Sequence, residues 1–388
     1  MLLCIAVHGL VIPEASWRQA SEAHSQRVRT LLRPGFMSPQ ELSVPSRRIR
    51  SKKDGWEALD PENPVYNFLL EYYALKGAKA TRRLGRWSPP LASEGVTLEG
   101  ANGMDIADGI LSPRGAAVHP DGITYHARAY AQSVSQSQCA AFVWYRDILA
   151  ATSRATPVLH CYGLHEWAMQ YWPDGAAPPP SAKYQRHLPL RVTRTQINAA
   201  VERRGVSCTH VDALRYFAPA AAPLNKHGAT LQRAQQPDME QPACVHAAMD
   251  LLKMAMKLSP WLPAEILGDA LEIALEARTL DVAASPYDLS SYGIAPVCVE
   301  DPAGRAEYRR RQEVLMAHAQ PIRTRLLHAY DAFLFAGFDG SILAKASKTP
   351  NPVHYAQATP GGAAWRWSGL DQDHGSASQR VEVADSRG

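Results

Sequence analysis

The sequence predicts a mainly α-helical protein: a single large helical domain with irregular loops and few short strands. Three observations predict it. Apolar residues recur at helical spacing in successive segments, helix-starting residues such as Asp, Thr and Pro stand at the heads of those segments, and strand-like and helix-like runs nowhere alternate as a parallel α/β fold requires. With 388 residues, 46% of them hydrophobic, the chain can bury a core and is excluded from the wholly disordered class.

Residues 1–15 are apolar at their start but lack a basic head and a small-residue cleavage site, so they read as a short leader rather than a secretory signal. Residues Ser16 to Leu32 have the polar-rich, sparsely apolar pattern of an exposed helix, stopped by Pro34-Gly35. The run SRRIRSKK, Ser46 to Lys53, then reads as a solvated basic loop or a phosphate contact. Asn63-Pro64 opens PVYNFLLEYYAL, where Val65, Phe68, Leu69, Tyr72 and Tyr73 fall at the spacing of a core helix. Gly85 to Gly122 is rich in Gly, Pro and Ser and admits at most short strands around VTLEG and GITYHARAY.

Between Tyr125 and Thr152, Phe142, Trp144, Tyr145, Ile148 and Leu149 again suit a helix. Further helices are expected at Thr195 to Arg204 with Thr195 as cap, from Pro242 to Leu258, and from Pro263 to Leu280, where early acids and the late Arg278 suit the helix dipole. The longest starts with Asp301 as cap and Pro302 as first residue and continues to about Phe335. The helical, catalytic domain thus spans 16–337, and 338–388, poor in apolar periodicity, is expected to be a flexible tail.

The formal charge of +4 is too small and too dispersed to identify a nucleic-acid binder by itself. No apolar run approaches the roughly 20 residues that span a bilayer, so no membrane partner is expected and the reading is soluble and intracellular, in cytoplasm, nucleus or organelle. The six cysteines contain no C-x-x-C pair and form neither a disulfide framework nor a zinc ribbon.

Chemistry concentrates in three blocks: LHCYGLHEWAMQY from Leu159, SCTHVDALRYF from Ser207 and EQPACVHAAMDLLK from Glu240. Each offers one histidine and one carboxylate. His246 and Asp250 are four apart and share a helix side; His210 and Asp212 are two apart and align on extended backbone; His165 and Glu166 are adjacent. Two chemistries compete. In one, His165, His210 and His246, with Glu166, Asp212 or Asp250, hold zinc or iron, since mixed imidazole and carboxylate sets with an open position suit a catalytic metal. In the other, no cofactor is needed: the carboxylates act as general base or cation stabiliser, and the histidines orient them. Arg215 stands ready to pair with Asp212 or to clamp an anion, and Trp167, Tyr171, Tyr216 and Phe217 supply flat surfaces near the same blocks. Cys161, Cys208 and Cys244 accompany the blocks as neighbours of the histidines rather than ligands. Asp288, in SPYDLSSYG, reads as a turn residue or a further pocket acid.

Taken together, NPVYNFLLEYY, GLHEWAMQY, RHLPLRV, CTHVDALRYFAPAAAPLN, EQPACVHAAMDLLKMAMKLSP, SPYDLSSYG and GRAEYRRRQ resemble a family of bacteria and plastid-bearing lineages that carries the label 3-methyladenine DNA glycosylase. The resemblance implies a DNA-repair hydrolase of base excision, with DNA as partner, cutting the N-glycosidic bond of an alkylated purine. It needs an aromatic pocket for the extruded base and a carboxylate at the sugar. On that reading the carboxylate is Asp212 or Glu166, supported by His165, His210 and Asp250. The base meets Trp167, Tyr171 and Phe217, and phosphates meet Arg215 and the Arg47 to Lys53 run. The alternatives are a metal-dependent enzyme acting on a small molecule and a helical binding protein without activity.

Overall fold

The computed structural model describes residues 9–33, 56–91, 95–179 and 187–338. Four short strands form one sheet, β1 (Leu10–Ile12), β2 (Val96–Glu99), β3 (Ala116–His119) and β4 (Gly122–Tyr125), in the order β1-β2-β4-β3. β1 runs parallel to β2, with Val11 opposite Thr97, and the other pairs are antiparallel. Residues 10–12 of the expected leader are therefore a sheet edge. Across β2 and β4 the Thr97 and Thr124 hydroxyls meet at 2.9 Å. Gly122 opens β4 where only glycine fits, because a Cβ there would lie 2.2 Å from the Leu98 carbonyl oxygen.

The helices follow in order: α1 (Glu14–Leu31), α2 (Asn67–Tyr72), α3 (Ala78–Arg82), α4 (Gly103–Ala107), α5 (Ala127–Ser133), α6 (Gln136–Arg154), α7 (Leu164–Gln170), α8 (Arg194–Arg204), α9 (Val211–Leu214), α10 (Gln236–Met239), α11 (Val245–Leu258), α12 (Ala264–Ala283) and α13 (Pro302–Gly337). The mainly α class holds, with a small mixed sheet added. The expected helix over Tyr125 to Thr152 divides at Val134-Ser135, because Ser135 and Gln138 form a reciprocal cap that starts α6 afresh. Likewise Thr193, not Thr195, caps α8, with Gln196 returning the bond. α1 is less exposed than its composition predicts: Trp17, Ser21, His24, Val28 and Leu31 form one buried face, and its Arg27 reaches Asp269 and Glu272 on α12. The Ser46 to Lys53 run and 339–388 lie outside the described residues.

α11, α12 and α13 pack on one another, and α6 closes over α13. At one end of this core the Phe333 ring lies 5.0 Å from Phe142 and is stacked 5.8 Å from Trp261. Such pairs add about 0.5–1.5 kcal/mol beyond the area they bury. α13 has 36 residues, hence a length of about 54 Å, and its buried side chains Tyr308, Gln312, Arg323, Tyr330 and Phe333 line the core from end to end. The three sequence blocks lie across the α11–α12 pair, which positions the site.

Candidate active site

α7 begins on two consecutive left-handed residues, Tyr162 (φ 51°) and Gly163 (φ 65°). Glycine tolerates this conformation; tyrosine does so only at a cost of about 1–3 kcal/mol, a kind of strain that clusters at functional sites. The turn delivers His165 and Glu166 into the core, where both are buried. His210 sits on extended backbone as the cap residue of α9. Its approach is fixed by Asn225, which accepts from the Cys208 amide (2.9 Å) and donates to the Cys208 carbonyl (3.1 Å). α11 carries His246 and Asp250 one turn apart.

The three histidines form a row. The His246 ring lies 4.5 Å from that of His165, tilted by 59°, and 4.7 Å from that of His210, stacked at 20°. Burial, reinforced by the neighbouring His165 and His210 rings, holds His246 well below its ordinary value and therefore neutral. A carboxylate-rich group stands at each end.

At the His165 end every partner is matched. Asp281, wholly buried, accepts from His165 Nε2 at 2.6 Å and from Arg278 Nη1 at 2.5 Å. Arg278 also donates to Glu166 Oε1 (2.8 Å) and, from Nε, to the Pro64 carbonyl (3.1 Å). Burial opposes the charge on Asp281, but His165 and Arg278 outweigh it and hold the carboxyl well below its usual range. In return Glu166 and Asp281 keep the buried guanidinium charged. With Asp281 ionised, the proton of the short bond resides on His165 Nε2.

At the His210 end the geometry differs. His210 is 3% exposed, yet neither ring nitrogen has a hydrogen-bond partner, and neither has Asp250 Oδ2. His210 Nε2 lies 3.6 Å from both Asp250 Oδ2 and Glu240 Oε1, too far for a hydrogen bond. Burial would raise Asp250, but Lys253, with Nζ at 3.6 Å, and His210 hold it low. Glu240 is raised, first by burial and then by the charge of Asp250. Tyr73 donates to Asp250 Oδ1 at 3.4 Å.

Asp212 stands at the outer edge of this end. Its Oδ1 meets Arg215 Nη2 and, at 2.5 Å, Arg233 Nη2, while Oδ2 lies 3.9 Å from Lys253 Nζ. Arg233 Nη1 donates to Gln236, which donates in turn to Glu240 Oε1. Nearby, Tyr72 is 43% exposed and packs edge-on against Tyr216 with centroids 5.7 Å apart.

Two sets satisfy the separation a metal needs: His165, His246 and Asp281, and His210, Asp212 and Asp250, each with donor atoms within 4.8 Å of one another. Ligands on a tetrahedral zinc with bonds of about 2.0–2.1 Å stand about 3.4 Å apart, close to the 3.6 Å between His210 and its two acids. The thiols do not join either set. Burial pushes Cys208 up to about 12 and raises Cys161 and Cys244, so all are protonated at neutral pH.

The structure thus brings together His165, Glu166, His210, Asp212, Arg215, His246 and Asp250. The aromatic residues expected to meet a base are placed otherwise. Trp167 is 0% exposed and donates from Nε1 to the Ala284 carbonyl. Tyr171 donates to Glu202, and Phe217 is buried among core side chains. Asp288 accepts from the Ser290 amide within its own turn. Sequence reasoning did not single out Glu240, Lys253, Arg233, Arg278 or Asp281. A cation and an acid three residues apart, as Asp281 and Arg278, the one basic residue of α12, are, is the signal that could have marked the last two. Gln312 of α13 supports the site from behind, its Nε2 donating to the carbonyls of Ala243 (2.7 Å) and Val158 (3.3 Å) and to Cys161 Sγ (3.2 Å). Among the described residues no helix is long and apolar enough to cross a membrane. Comparison with protein-family models, with curated proteins and with solved structures finds no match for this chain.

Proposed function

We propose that this protein is a metal-dependent hydrolase acting on a small molecule, with a divalent zinc or iron ion held at His210 and Asp250, two members of a set whose donor atoms lie within 4.8 Å of one another. The observation that carries the reading is the buried His210 ring, without a hydrogen-bond partner on either nitrogen and 3.6 Å from two carboxylates. A buried polar group left unpartnered costs about 1–3 kcal/mol and is rare in folded proteins. A cation there would be held by His210 Nε2 and Asp250 Oδ2 and would relieve both of these unpartnered atoms, with Glu240 Oε1 3.6 Å from the same nitrogen. Such an ion supplies a hydroxide-like water near neutral pH.

The protein's own groups divide the remaining work. Asp281, fixed by Arg278, orients His165 and keeps its proton on Nε2. His246 lies between this couple and His210, neutral because it is buried, and separates the two charged ends. The Lys253 ammonium, which faces Asp250 Oδ2 at 3.6 Å, has Asp212 Oδ2 as its second acid.

The resemblance-based reading, excision of an alkylated purine, draws less support. Glu166 and Asp212 are both committed to arginines, Trp167 presents no open face, and cations surround Asp212 where a positively charged methylated base would have to approach. Elemental analysis of the purified full chain tests the proposal. About one zinc or iron per chain is expected, lost in His210→Ala and in Asp250→Asn; metal-free protein that takes up neither ion on titration overturns it. A lesion-cleavage assay on duplex DNA bearing 3-methyladenine tests the other reading, which Asp212→Asn and Glu166→Gln at full rate would remove.

A further inference from the structure

We propose that Asp212 completes the ligand set of the ion through Oδ2, and that Arg233 and Arg215 are the positioning residues that aim it. The inference rests on the metal reading, which by itself places the ion only at His210 and Asp250. His210, Asp212 and Asp250 form one of the two sets whose donor atoms all lie within 4.8 Å of one another. Within it the two oxygens of Asp212 are used unequally. Oδ1 accepts from Arg215 Nη2 and, at 2.5 Å, from Arg233 Nη2, whereas among the described residues nothing donates a hydrogen bond to Oδ2. That second oxygen faces the centre: Lys253 Nζ stands 3.9 Å from Asp212 Oδ2 and 3.6 Å from Asp250 Oδ2, so the two atoms flank one ammonium. The two acids thus already draw a cation, and beside them lies the buried His210 ring with both nitrogens unpartnered.

A carboxylate that ligates a metal is itself ordinarily held by hydrogen bonds from the surrounding protein. Asp212 has that arrangement. Its side chain is 14% exposed at the outer edge of the site, and two guanidinium groups on Oδ1 keep Oδ2 turned inward. Arg233 acts from a fixed position, since its Nη1 donates to Gln236 at 2.6 Å and Gln236 donates in turn to Glu240 Oε1, 3.6 Å from His210 Nε2. One imidazole and two carboxylates leave a position open for water, as a catalytic zinc or iron ion requires. An approach from outside meets the arginines on Oδ1, which turn away a charged base; the ion lies on the inner side, between two acids.

Calorimetric titration of the metal-free full chain with zinc tests this, with melting temperatures of the metal-free protein measured on the same samples. Asp212→Asn is expected to weaken zinc binding by at least about tenfold, and Arg233→Gln by about 10–100-fold although every proposed ligand is still present. Arg233→Lys, which keeps a cationic donor for Oδ1, is expected to recover part of that loss. Zinc bound as tightly by Asp212→Asn as by the wild type overturns the inference and leaves the ion at His210 and Asp250. An Arg233→Gln variant that melts lower yet binds zinc unchanged shows a merely structural ion pair and overturns the positioning role. No uptake of zinc or iron(II) by the wild type removes the metal reading and this inference with it. Should Arg233→Gln fail to fold, Arg215→Gln, at a side chain one-third exposed, is expected to weaken zinc binding in the same direction, and unchanged binding there counts equally against the proposal.

Discussion

The two ends of the histidine row contain the same kinds of residue and treat them oppositely. At the His165 end, Asp281, Glu166, Arg278 and His165 meet one another at 2.5–2.8 Å. At the His210 end the imidazole and its two acids stand 3.6 Å apart, and three of their polar atoms have no hydrogen-bond partner. A buried network that is complete explains itself as structure and orientation. One that leaves three such atoms gathered on one imidazole and its neighbouring acid points to something it binds.

That contrast is most easily broken through Arg278. Arg278→Met should leave Glu166 and Asp281 buried without their cation and cost about 3–5 kcal/mol in chemical denaturation. An effect below about 1 kcal/mol would mean that the ordered end is not held as described. Next in size is the difference between two alanine variants. His165→Ala breaks the bond to Asp281 and should cost about 1–3 kcal/mol beyond lost packing, whereas His210→Ala breaks no hydrogen bond and in metal-free protein should cost less. Adding zinc should raise the melting temperature of the wild type and of His165→Ala but not of His210→Ala. Equal responses in all three would erase the distinction.

The pH dependence of stability separates the groups further. His246 is depressed from its ordinary value of 6.5, so its contribution is intact above about pH 6.5. It is lost as pH falls toward its own lower value, with a slope of up to about 1.4 kcal/mol per pH unit. Denaturation from pH 7 to 5 should show this loss, and His246→Phe should flatten it. Glu240 has the opposite sign: its raised value favours the folded state at low pH and disfavours it as pH rises through that value. Glu240→Gln should therefore stabilise metal-free protein at neutral pH. Zinc affinity should climb with pH because protons compete with the ion for its ligands. The smallest effect is expected from Arg215→Gln, within about 1 kcal/mol on stability, since its pair with Asp212 is partly exposed and Arg233 remains on the same oxygen.

The sequence carried the long helices well, because their starts are written in single residues: Asp301-Pro302 marks the head of α13, and the apolar spacing from Pro242 to Leu258 outlines α11. It carried the blocks that meet at the site, each by its own His and acid. What it could not carry were the partners. Arg278 was readable only as a residue suited to a helix end, and its two acids lie on different helices, one of them 112 residues away. Glu240 lay in view at the head of the third block, but only folding brings it to the opposite block's histidine. The aromatics erred in the other direction. Trp167 and Phe217 neighbour the acids in sequence, and nothing local says that their faces are spent on the core.

Gln312 gives the site a dimensional standard. It reaches from α13 to the stretch that leads into α7 and to the residue just before Cys244, the cap of α11, without touching a histidine. The spacing between His165 and His246 is thus gauged from outside the chemistry, by the Gln312 amide together with that of Gln241, whose Oε1 accepts from the Val158 N–H at 2.9 Å across 83 residues of chain. Shortening the Gln312 amide to Asn would remove no reacting group and still detune their separation, so the tolerance of the centre is set in part on a helix that contributes none of its donors.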